Sequence, residues 1–65
     1  MDQDSIIFSR ACVNHPDLSV TVSRTVIGTY RMTFRDDEAG AIIETRIFNS
    51  ADRANDCARM LIDQP

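Results

Sequence analysis

The chain contains no lysine; all seven of its basic side chains are arginine. Arginine offers a planar, bidentate fork that suits carboxylate or phosphate, although a bias toward GC-rich codons leaves the same mark. Glycine is nearly absent, with only Gly28 and Gly40, and two isolated glycines exclude a glycine-rich phosphate loop. His15 is the sole histidine, and Cys12 and Cys57 are the only cysteines. Cys12 and His15 have a ligand-like spacing, and Cys57 offers a third donor. A structural zinc site needs four ligands, usually in two close pairs, and the second pair is missing. No metal and no cofactor are expected. Cys57 instead reads as a small core residue and Cys12 as a partly buried one.

Other absences narrow the function further. His15 with Asp17 and either Ser9 or Ser19 is the one candidate catalytic set. A triad needs a rigid shell around it, and a histidine beside Pro16 in a loop has none. A chain of 65 residues buries only about 60% of its unfolded surface, which leaves no room for a deep cleft beside a core. The expectation is therefore no enzyme. No apolar run approaches membrane-spanning length. The start, MDQDS, is acidic and lacks an apolar segment, so no secretory leader is expected. A cytoplasmic protein with two free thiols and no membrane contact follows as the expectation.

What the chain does have is alternation. From Leu18 to Phe34 the even positions read Leu18, Val20, Val22, Arg24, Val26, Gly28, Tyr30, Met32 and Phe34, apolar but for a break at Arg24 and Gly28, and the odd ones are mostly serine, threonine and arginine. A period of two marks a sheet with one buried face and one wet face. Such a run exceeds the usual strand length, so it must turn, and Gly28 is the natural place. Strands are expected near Ser5 to Ser9, Leu18 to Ser23 and Thr29 to Asp36. His15-Pro16-Asp17 is a break. Residues 1–4 are expected to fray. The turn DEAG puts Gly40 in the left-handed conformation and pairs Asp36 with Ala41.

That register sets Phe34 against Ile43, Met32 against Thr45 and Tyr30 against Ile47 on the inner face. It sets Arg35 by Ile42, Thr33 by Glu44, Arg31 by Arg46 and Thr29 by Phe48 on the outer face. A slip by one would place Phe34 opposite Glu44 and scatter the apolar set, and is rejected on that ground. Glu44 then lies diagonally between Arg31 and Arg35. A helix spans Asn49 to Asp63, with Asn49 preferred over Ser50 as its N-cap. Ala54, Cys57, Ala58 and Leu61 follow the i, i+3, i+4, i+7 spacing. Three of these are small and let the helix sit close over Tyr30, Met32, Phe34, Ile43 and Ile47. The fold class is α+β: one small domain, an antiparallel meander of three to four strands, with one C-terminal helix on one face.

The order Gly28, Tyr30, Gly40, Phe48, Ser50 and Ala54 resembles the three-stranded-sheet-plus-helix domain of plant ethylene-response factors and of phage integrase N-termini. The resemblance covers about Leu18 to Leu61. It implies duplex DNA binding through the outer sheet face, with Arg31, Arg35 and Arg46 facing the DNA.

The residues themselves point first to a protein-binding module that occludes a surface of a larger protein, as phage- or mobile-element-type inhibitors and regulators do. Arg31, Arg35, Ile42, Glu44, Arg46 and Phe48 are the expected partner-binding residues, since arginine beside apolar anchors is the make-up of interface hot spots. The acidic turn Asp36-Asp37-Glu38 and the acidic helix face would steer the protein toward a basic partner. A homodimer through the edge near Ser5 to Ser9 is also expected to be open to it. Nucleic acid is the second partner class.

Overall fold

The computed structural model describes residues 5–65; the expectation that residues 1–4 fray lies outside them. Four strands, β1 (Ser5–Ala11), β2 (Leu18–Arg24), β3 (Tyr30–Asp36) and β4 (Ala41–Phe48), precede one helix, α1 (Ala51–Ile62). The strands form one antiparallel sheet in the order β1-β2-β3-β4. This is the α+β meander with a C-terminal helix that the alternation implies.

Both glycines sit where the backbone requires them. Gly28 has φ 89° in the β2–β3 connection and Gly40 has φ 69° in the β3–β4 turn. The first connection is closed by a bond from the Thr25 N–H to the Thr29 carbonyl at 2.9 Å. The Thr25 and Thr29 hydroxyls meet at 2.6 Å. In the second, Asp36 Oδ1 accepts the N–H groups of Glu38 and Ala39, each at 3.1 Å. This side-chain cap explains why an aspartate opens the turn.

The core is a thin layer between sheet and helix. Val20, Val22, Met32, Ala54 and Ala58 are fully buried, and Cys12 nearly so. Phe8, Leu18, Tyr30, Phe34, Phe48, Cys57, Leu61 and Ile62 pack around them at half burial. The N-cap is Ser50 rather than Asn49, and its hydroxyl makes no capping bond. Asp52 still falls in the first turn, where a carboxylate suits the helix dipole. The far end of α1 is tied back to the β1–β2 loop: the Val13 N–H donates to the Ile62 carbonyl at 2.9 Å, and Asn14 Nδ2 donates to the Gln64 carbonyl at 3.2 Å. Among the described residues, no helix is long and apolar enough to cross a membrane.

The β3–β4 register departs from the sequence expectation. Asp36 opposes Ala41 and Arg35 opposes Ile42, as expected. An extra residue, Ile43, then enters β4 as a bulge. Beyond it Phe34 opposes Glu44, Thr33 opposes Thr45, Met32 opposes Arg46, Arg31 opposes Ile47 and Tyr30 opposes Phe48. The rejected slip is thus the one adopted over most of the strand. Ile43 and Ile47, expected under the helix, are 53% and 55% exposed, while Phe48 packs on the core. Burying the larger aromatic outweighs burying Ile47, and one inserted residue is enough to exchange them. A second irregularity falls at Ile7 in β1, between Ile6 and Phe8.

Candidate functional site

With the register known, the face of the sheet away from α1 can be read as three rows running across all four strands. The first is Ile6, Ser23, Arg31, Ile47; the second Ser9, Thr21, Thr33, Thr45; the third Ala11, Ser19, Arg35, Ile42. Each strand contributes one position per row because alternate residues share a face. No element of the described chain covers this face. Its middle is a line of hydroxyls, in which Ser9 and Thr21 meet at 2.9 Å. Its corners are apolar: Ile6, Ile42 and Ile47 are 69%, 62% and 55% exposed. Arg31 and Arg35 stand on β3 between them. None of the twelve positions is a carboxylate.

Of the six residues singled out from sequence, the structure brings together Arg31, Arg35 and Ile42 on this face. Glu44, Arg46 and Phe48 lie on the opposite side, because the bulge reverses the phase of β4 after Ile42. Glu44 therefore does not sit between Arg31 and Arg35. It accepts a hydrogen bond from Arg46 Nε at 2.9 Å, and Arg46 Nη1 lies 4.0 Å from Cys57 Sγ. The hydrogen bond with Glu44, and then its charge, hold the Arg46 guanidinium above its ordinary pKa. Arg35 Nε lies 3.8 Å from Asp37 Oδ1 with both side chains about half exposed, a pairing that contributes little in water.

Ile6 and Ile47 join the outer face without having been assigned to it from sequence. The available signal is spacing. Ile42 and Ile47 are an odd number of residues apart, so they share a face only if one extra residue intervenes, and the adjacent Ile43 supplies it.

His15 belongs to a different region, where its Nε2 lies 3.3 Å from the Pro65 carbonyl oxygen and the side chain is exposed. Among the described residues, no cluster of three or more histidine, cysteine or acidic side chains is disposed to hold a metal ion. Both cysteines are free; Cys12 is buried and Cys57 half-buried. Burial, and secondarily the charge of Asp17, push the Cys12 thiol above its ordinary pKa.

Thiolate is the reactive form, so iodoacetamide under native conditions should alkylate Cys57 first and Cys12 only after unfolding. Mass spectrometry of the labelled peptides reads this directly, and equal labelling rates would contradict the burial of Cys12. The sign of the linkage also follows. A raised folded-state pKa favours the protonated fold, so this contribution is full below the unfolded thiol's pKa. It is lost as pH rises further, through the folded one, which lies on the alkaline side of the unfolded thiol's.

Comparison of the chain with family models, with curated proteins and with solved structures found no match.

Proposed function

We propose that this protein is a non-catalytic binding module that docks its outer sheet face onto a larger protein. The observation that carries the reading is this face, which no described element covers: three well-exposed isoleucines flank two arginines and a hydroxyl row, with no carboxylate among its twelve positions. Soluble chains rarely leave several large aliphatic side chains on one open face without a use for them. Arginine beside aliphatic anchors is suited to an interface whose centre dries on docking.

A second reading, nucleic-acid binding, gains from one finding and loses from another. The departure of Glu44 removes a carboxylate from between Arg31 and Arg35, and the resemblance to integrase and ethylene-response domains supports contact through this face. Arg46 leaves the face together with Glu44, so two arginines remain where three were expected. Two phosphate contacts give a salt slope of only about −1.8 on logarithmic axes, too shallow to hold a duplex firmly at physiological salt.

The test pairs two measurements. In a pull-down, the wild-type chain should retain one partner at defined stoichiometry, and the Ile42→Asp/Ile47→Asp variant should lose it while keeping its far-UV circular dichroism. Each buried anchor truncated or charged should cost about 2 kcal/mol of binding or more. Backbone amide titration with random-sequence duplex DNA should leave the outer face unmoved at moderate salt. Shifts centred on Arg31 and Arg35 that fade steeply with salt would instead install the nucleic-acid reading. Phe48→Ala is unsuited as a binding probe, since Phe48 packs on the core.

A further inference from the structure

The helix does not roof the whole sheet. It packs mainly over β2 and β3, with lesser contact to β4, and leaves the inner side of the edge strand β1 partly open. Phe8 and Arg10, successive inner-face residues of β1, there look across at Asn55, Arg59 and Ile62, which form one i, i+4, i+7 stripe along α1. Between them lies an open trough of about 200 Å³.

The chemistry of this trough is unbalanced in a particular way. Arg10 and Arg59 face it from opposite walls, and neither guanidinium has a hydrogen bond or ion pair among the described residues. Asn55 lines the trough as a residue, and its Oδ1 is buried without a hydrogen-bond partner among the described residues. Phe8 and Ile62 supply apolar walls and are themselves only half-buried. The site therefore asks for an anion for the arginines and an aliphatic group for Phe8 and Ile62. β1 is an edge of the sheet, and an edge strand offers an unpaired row of backbone donors and acceptors to an incoming strand.

We propose that the β1 edge and this trough bind an extended acidic peptide segment of a partner protein. The segment adds as a fifth strand beside β1. Because alternate side chains of a strand share a face, every second residue of the segment turns toward α1. A glutamate or aspartate beside Arg10 places its carboxylate between Arg10 and Arg59, where both forks can grip it. The residue two positions away is aliphatic and lies beside Phe8 and Ile62. The recognised pattern is thus aliphatic, any residue, acidic. This site lies on the opposite side of the sheet from the outer face and does not rest on the docking proposed there.

The experiment is a backbone and side-chain NMR titration of the full chain with a capped heptapeptide, threonine-valine-threonine-glutamate-threonine-valine-threonine. Shifts are expected at the β1 amides from Phe8 to Ala11, at the Asn55 amide group and at the Arg10 and Arg59 Nε–H groups. Replacing the peptide glutamate by glutamine, or introducing Arg10→Gln or Arg59→Gln, should weaken binding about tenfold or more, the scale of a charge-assisted hydrogen bond lost. The Ile42→Asp/Ile47→Asp variant should bind the peptide as wild type does, which separates this site from the outer face. Equal binding of the glutamine peptide, or shifts confined to β4 or the outer face, would overturn the proposal. Inorganic phosphate serves as the third arm. If phosphate moves Arg10 and Arg59 while the peptide leaves the β1 amides unmoved, the trough is a small-anion site and strand addition is wrong.

Discussion

Replacing Met32 with alanine should remove a large part of the folding stability. Met32 is fully buried in the central strand β3, between Val22 of β2 and Arg46 of β4. The helix residues in the same cluster are Ala54 and Ala58, whose methyl groups cannot swing in to fill a void. A buried methionine cut to alanine costs about 2 to 5 kcal/mol when the site cannot collapse. A domain of this length has about 3 to 10 kcal/mol in total. The midpoint of thermal unfolding should therefore fall by about 10 °C or more, with the urea m value unchanged. Met60→Ala is the matched control: Met60, on α1, is 76% exposed, and its loss should stay within about 0.5 kcal/mol. If the two variants lost equal stability, the sheet–helix layer would not be the seat of the fold's cohesion.

Ala58→Leu should be almost as damaging, for the opposite reason. Ala58 has no exposed surface and lies in the layer shared with Val20, Val22 and Met32. Leucine adds three carbons where the sheet and helix already touch. Overpacking of this kind costs about 1 to 3 kcal/mol, and a helix crossing an open sheet has one easy escape, which is to lift. Hydrogen exchange should report that escape as faster exchange along α1 with the β2–β3 ladder still protected. Uniform destabilisation without preferential exchange in α1 would mean that the sheet, not the helix, had yielded.

These two positions were legible in the sequence because each falls within a periodic run. Met32 falls in the run of two-residue alternation, and Ala54 and Ala58 in the helical spacing. Gly28 and Gly40 were legible because few residues accept a positive φ. The strand β4 was not legible in the same way. Its apolar residues come as doublets, Ile42-Ile43 and Ile47-Phe48, and a doublet fits either face. A strict period of two then chose Ile43 and Ile47 for the interior, and no two-residue period can express an inserted residue. That single insertion displaced Glu44, Arg46 and Phe48 from the expected binding face and brought Ile47 onto it. The trough was invisible for a different reason. Arg10 and Arg59 lie far apart in the chain, and their meeting depends on how far across the sheet the helix reaches.

The order of strands in the sheet is also the order of strands in the chain, and this sets how the molecule can assemble. Every ladder joins chain neighbours, so each hairpin closes a short loop and pays little closure entropy. Low contact order of this kind makes for fast folding. The helix is different, since its seat is built from β2, β3 and β4 together and exists only after they pair. Changes in the hairpin turns should therefore slow folding, while changes on the buried face of α1 should chiefly speed unfolding. The lifetime of the native state should then follow the grip of one helix on a sheet already formed.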